Sequence, residues 1–301
     1  MIDFTLLKSI ITPRGAITKI ESNGAILWEL KRGGSVILEV MKVDCNGNCV
    51  LFDIYPKSGG TVNVTYGGLT KTIVDDGTSE NPNAVQVYFG THDGATDEVE
   101  TPDSGTLTIE GDFAAFAVGT WNTTSGKSTI TNYFSGITDI VDFGNINYIP
   151  AYAFMDNKRI KEMVLPDGID SIGDSAFNSC QQLQFSEIPE GVKTIGGNCF
   201  RKLDSDTSYD PLDNPRYIQT LILPSTLESI GEFAFVVYTS SSGGYYNSLA
   251  SEIVCKAKIP PTLGSNAFGQ YAVNVTVPKG CGEAYKTAEG WSIHTITEAD
   301  E

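Results

Sequence analysis

Two histidines, His92 and His294, are the whole supply for imidazole chemistry, and about 200 residues separate them. No G-x-S-x-G elbow and no H-E-x-x-H pair occurs, so neither a serine triad nor a zinc peptidase site has a local signature. Carboxylates are plentiful, yet nothing in the sequence pairs them across a scissile sugar bond. Cys45-Asn-Gly-Asn-Cys49 places a tight-turn dipeptide between two thiols, which leaves a disulfide and a reduced pair both open. Two thiols fall short of the four ligands of a structural zinc site. Trp121-Asn-Thr-Thr-Ser-Gly-Lys-Ser128 misses a phosphate loop, because Trp121 stands where the motif requires glycine. Between Lys71 and Lys127 there are ten acids and no Lys or Arg. Asp93-Gly-Ala-Thr-Asp-Glu98 and Asp204-Ser-Asp-Thr-Ser-Tyr-Asp210 group hard oxygen ligands, but neither matches the calcium loop. Solvated acidic loops are the expectation. No catalytic residue, no metal site and no cofactor are assigned.

Recognition chemistry is better represented. One segment carries Tyr209, Asp210, Asp213, Arg216 and Tyr217. Another, Thr239–Ser248, carries Tyr245, Tyr246 and Asn247 among serines and glycines. Tyrosine gives large, rigid contact area and small polar residues give adaptable hydrogen bonds. These eight residues are the candidate ligand-binding set.

A repeat positions them. Pro166, Pro189 and Pro224 precede Ile172, Ile195 and Ile230 by the same step, and each isoleucine precedes a phenylalanine. Phe154, Phe177 and Phe200 are 23 residues apart, and the next intervals, to Phe235 and Phe268, are 35 and 33. Such a unit cannot bury its own apolar side, whereas stacked copies form a continuous core. Five coils are expected, with the Ile and Phe stacked inward. The glycine after each isoleucine reads as a tight bend. The small residue before each phenylalanine (Ala153, Ala176, Cys199, Ala234 or Ala267) reads as a slot between coils. The two Tyr-bearing segments are the extra lengths in consecutive coils, so they emerge side by side.

The units resemble the BspA-like leucine-rich repeat family over residues 136–298, with Ile160–Cys180 the fullest match. Asn157, Leu203, Tyr238 and Tyr271 depart from the motif at its final cysteine position. That resemblance implies a leucine-rich repeat solenoid over 136–278, a C-terminal cap over 279–301, surface display, and adhesion or ligand binding without catalysis.

The front is different material. Alternating apolar runs, separated by Gly, Asn, Asp and Pro, read as strands from Val36 to Gly119. They suggest an immunoglobulin-like β-sandwich over 33–135. Ser22-Asn23-Gly24 marks a β-hairpin within an attachment segment over 1–32. The fold class expected is therefore mainly β with short helical turns. Leu7-Lys-Ser-Ile-Ile-Thr-Pro-Arg-Gly15, Ile26-Leu-Trp-Glu-Leu30 and Asp53-Ile-Tyr-Pro-Lys57 resemble N-terminal regions of prophage tail-associated proteins of gut bacteria. This resemblance implies attachment to a phage tail or other assembly.

Charge narrows the partners. Lys and Arg number 20 against 37 Asp and Glu, a formal charge of −17. So acidic a chain is a poor match for a phosphate backbone, and no nucleic acid is expected. No apolar run is long enough for a membrane span. The N-terminus has no basic leader, apolar core or cleavage site, so no signal peptide is expected. The expected partner is a protein or glycan on a bacterial or host surface. The expected location is the virion or the cell surface. The alternative from another class is a structural component that contacts no external ligand, and a carbohydrate-active enzyme is a lesser one.

Overall fold

The computed structural model describes residues 19–22, 25–29, 36–41, 43–44, 48–75, 85–92, 95–97, 102–117, 120–122, 129–131, 137–144, 146–157, 159–161, 163–166, 168–204, 217–239 and 245–300. The protein is mainly β, with a single helix, Gly282–Thr287, among the described residues. Near the N-terminus Lys19–Ser22 pairs antiparallel with Ala25–Glu29, with Ser22 opposite Ala25.

Two antiparallel sheets build the front half. The first contains Val36–Met41, Thr61–Tyr66, Leu69–Val74, Ser104–Gly111 and Ile137–Asp142. The second runs in the order Phe113–Ala117, Asn48–Pro56, Val85–His92 and Ala95–Thr96, with Val43–Asp44 also paired to Asn48–Pro56. Alternation drives the layering: in Thr61–Tyr66 the buried residues are Val62, Val64 and Tyr66. Tyr66 meets Phe89 across the layers with ring centres 5.7 Å apart. The first sheet runs on past residue 135, because Ile137–Asp142 pairs with Val36–Met41 as an edge strand.

From Tyr148 the pairing turns parallel. Tyr148–Ile149, Ser171–Ile172, Thr194–Ile195, Ser229–Ile230 and Thr262–Leu263 form one ladder with the apolar residues in register. Beside it the phenylalanines stack. Phe154–Phe177, Phe177–Phe200, Phe200–Phe235 and Phe235–Phe268 have ring centres 5.0, 5.2, 5.2 and 5.7 Å apart, with planes within 13°. Ala153, Ala176, Cys199, Ala234 and Ala267 are all buried beside them, as their small size predicts.

The repeated glycine has a different reason from the predicted bend. Gly173, Gly196, Gly231 and Gly264 do not have positive φ. A Cβ on any of them would instead collide with the backbone of the preceding coil. Glycine is required by close approach. The first coil has Pro150 in this slot.

Aromatic rings turned out of the stack close both of its ends. At the front, Phe116 and Phe143 stand edge-on to Phe154. Asn147 N also donates to Ala114 O, which ties the first coil to the second front sheet. At the far end Trp291 lies 5.6 Å from Phe268, and its Nε1 donates to Pro261 O (2.7 Å). Tyr285 of the helix is fully buried and donates its hydroxyl to Ala257 O (2.7 Å). A separate parallel sheet, in the order Ile218–Leu223, Ala250–Cys255, Asn274–Val277 and Thr295–Glu298, runs on into these last residues.

Candidate functional site

A short sheet grows where the two insertions leave the stack. Lys202–Asp204 pairs in parallel with Val236–Thr239, and Tyr245–Ser248 returns antiparallel to it. The register aligns Leu203, Tyr238 and Tyr246 in one row and Lys202, Val237 and Asn247 in the next. Neighbouring residues on a strand face opposite sides. Lys202 and Val237 are buried, so their row faces the interior, where Lys202 Nζ donates to Leu183 O (2.6 Å). The other row faces outward, with Leu203 41% exposed.

An aromatic cluster covers that outer face. Phe233 and Tyr238 lie 4.5 and 5.0 Å from Tyr246, ring centre to centre. Phe233 has φ of 52°, in the left-handed region that costs a non-glycine residue roughly 1–2 kcal/mol. Tyr152, Ser175, Asn198 and Asn266 share that conformation at the same place in their coils. The turn geometry thus belongs to the repeat, and a large ring placed on it reaches Tyr246.

Arg201 lies over the cluster. Its guanidinium carbon is 5.4 Å from the Tyr238 ring centre and 5.5 Å from that of Tyr246. Quadrupolar attraction from the two rings holds the cation there. Arg201 forms no ion pair among the described residues. Its Nε is buried without a hydrogen-bond partner, and Nη1 reaches Asn198 Oδ1 only at 3.5 Å.

Both edges of this sheet are closed by glutamine. The Gln181 amide, oriented by its hydrogen bonds, donates to Leu203 O (3.0 Å) and accepts from Leu203 N (3.1 Å). At the opposite edge Gln270 N donates to Tyr246 O (2.9 Å), and Gln270 Oε1 accepts from Tyr246 N (3.3 Å). Such caps remove the backbone groups to which another strand would pair. Gly269 lets the chain come this near: a Cβ there would lie 2.6 Å from Tyr246 O.

Of the eight predicted residues, Tyr217, Tyr245, Tyr246 and Asn247 are described, and these four do not share one face. Tyr209, Asp210, Asp213 and Arg216 lie outside the described residues, as does Cys45 of the paired-cysteine motif. Tyr245 and Tyr246 point to opposite faces, so Tyr246 alone joins the aromatic cluster. Asn247 belongs to the inward row. Tyr217 is half-buried and lines a separate groove. Arg201, Leu203, Phe233 and Tyr238 were not anticipated. A signal for two of them existed, since Leu203 and Tyr238 replace the motif's final cysteine. Cys180, which keeps it, is buried and hydrogen-bonded to Phe154 O (2.9 Å).

The groove occupies about 850 Å³ and is lined by Met163, Leu165, Phe185, Tyr217, Gln219 and Ile222. It opens because Ile218–Leu223 joins the preceding coil by a single bridge, Glu187 to Ile222. On its rim Lys256 pairs with Glu187 (2.8 Å) and approaches Glu190 (3.8 Å).

Other titratable groups are engaged structurally. His294 packs against Trp291 and Phe268, accepts from Val273 N (3.3 Å) through Nδ1, and has its pKa lowered by burial. Asp97, from the first acidic grouping, pairs with Lys71 (2.6 Å) and accepts from Gly90 N (2.9 Å). Burial raises the Cys180 thiol pKa to about 12 and pushes Cys199 well up. These two behave as small apolar residues rather than nucleophiles.

Residues 147–211 match the BspA type leucine rich repeat region, in 6 copies. No match is found among the curated proteins. No described helix is long and apolar enough to cross a membrane.

Proposed function

We propose that the chain is a non-catalytic binding protein. On this reading the parallel ladder is a leucine-rich repeat solenoid and the two front sheets are an immunoglobulin-like sandwich. The front module, with the hairpin before it, attaches the chain to a phage tail or a bacterial surface. The solenoid then meets a protein or glycan partner.

One observation carries the reading. The insertions depart from the repeat to build a sheet whose outer face gathers Arg201, Phe233, Tyr238 and Tyr246. A repeat that served only to stack would gain nothing from half-exposed aromatic side chains here. Aromatic and arginine side chains are the residues that dominate binding energy at interfaces. The match of residues 147–211 to a family associated with surface adhesion and binding supports the same reading.

The test is a screen of the immobilised chain against bacterial and host surface proteins and glycans, repeated with Tyr246→Ala. The expected result is a partner whose binding is lost in the variant while its unfolding curve stays that of a folded protein. A partner bound equally by both would move the site elsewhere. Immunogold labelling of induced phage particles tests the attachment half, and absence of label from tails would remove it.

A further inference from the structure

We propose that the outer face of the three-stranded sheet docks a terminal sugar that bears a single carboxylate. The inference rests on the reading of the chain as a binding protein and names its ligand class.

Three features select that ligand. Arg201 is the first. Its guanidinium rests on two tyrosine rings with no carboxylate partner among the described residues. A fork of donors already held in place by the rings matches a carboxylate with little further loss of freedom. Among the described residues, then, no carboxylate meets this cation, and a ligand can supply one.

The rings are the second feature. Tyr238 and Phe233 each lean about 40° from the plane of Tyr246, at 40° and 39° respectively. They make a shallow, ridged platform. One face of a pyranose presents C–H groups, which pack on such a surface, while its hydroxyls remain in water. Asn198, whose Oδ1 already touches Arg201 Nη1, supplies an amide at the margin for those hydroxyls.

The third feature excludes rivals. A peptide that binds a sheet gains affinity by adding a strand to its edge. Gln181 and Gln270 occupy both edges, so recognition here must come through side chains on the face. A polyanionic chain is disfavoured as well. The protein carries a formal −17, so every further negative charge on a ligand adds to a long-range repulsion that salt screens over about 8 Å. One carboxylate seated on Arg201 takes the local attraction and avoids most of that repulsion.

Sialyllactose and lactose make the matched probe pair, since they differ by the carboxylated terminal sugar. Titration of the full chain by calorimetry and saturation-transfer NMR should show sialyllactose binding at least about tenfold tighter than lactose. Arg201→Gln should erase that difference, and Arg201→Lys should retain part of it because charge persists while the bidentate fork is lost. Tyr246→Ala should weaken both sugars, with thermal unfolding confirming that each variant is folded. Equal binding of the two sugars, an unchanged preference in Arg201→Gln, or no binding of sialyllactose would each overturn the proposal. The broader reading is judged separately. If the surface screen yields a partner and sialyllactose does not bind, the ligand class is wrong and the binding role stands. If neither binds, both fall.

Discussion

Phe116 meets Phe154 edge to face, with ring centres 5.7 Å apart and planes 85° apart. One ring comes from the second front sheet and the other opens the phenylalanine stack. The same hydrophobic core therefore continues from the front module into the repeats. Phe154→Ala is expected to cost about 3–5 kcal/mol, from lost transfer energy plus the cavity left behind. Denaturant unfolding monitored by tryptophan fluorescence reads it. A midpoint equal to that of the parent would show that the junction bears no such weight.

The glycine positions give a sharper contrast. Gly196→Ala drives a methyl into Asp174 of the preceding coil, where backbone has to yield. Overpacking of this kind costs about 1–3 kcal/mol. Gly173→Ala should behave alike. Thermal unfolding of the two variants should show both lowered, and a neutral Gly196→Ala would disprove the close-approach explanation.

Asp53 supplies a pH dependence. It is 8% exposed, and desolvation raises its pKa from 3.8 to about 6. A carboxyl whose folded pKa is raised binds its proton more tightly in the folded state. Its contribution to stability is thus complete below pH 3.8 and is lost as pH rises through about 6. Asp53→Asn removes that loss. At neutral pH the variant should be more stable by about 2–3 kcal/mol. Below pH 3.8 the gap should close. Denaturant midpoints measured across this range check it, and a gap that persists in acid would point to repacking instead.

Thiol labelling separates buried from accessible cysteine. Cys180, Cys199 and Cys255 are buried and unpaired, while Cys281 is partly exposed and unpaired. Among these four, native alkylation followed by peptide mapping should modify Cys281 and spare Cys180, Cys199 and Cys255. Fast labelling of Cys199 would contradict its place between coils.

The ladder could be read from sequence because each coil repeats the same packing problem. Ile149, Ile172, Ile195 and Ile230 fall in register where the spacing puts them. The reason for the adjacent glycine could not be read, since a bend and a close approach demand the same residue. Tyr245 and Tyr246 show the limit at the candidate site. Composition marks both as contact residues, yet the strand's alternation separates them, and only cross-strand register shows which one meets Tyr238. Arg201 was hidden for a similar reason. Its role depends on rings 37 and 45 positions later in the chain, brought together by pairing that no local pattern encodes.

Pro150 stands in the first coil where later coils have glycine, so the stack has a defined beginning. Trp291 and Tyr285 give it an equally defined finish. Between these ends each coil adds the same rung to the parallel ladder and the same ring to the phenylalanine stack. Duplication of one 23-residue unit would therefore lengthen the protein without disturbing either end. Each added coil would move the far end outward by about 4.8 Å, the distance between paired strands. The number of coils thus acts as a ruler, set by gene length, for the distance between the front sheets and the far end of the stack.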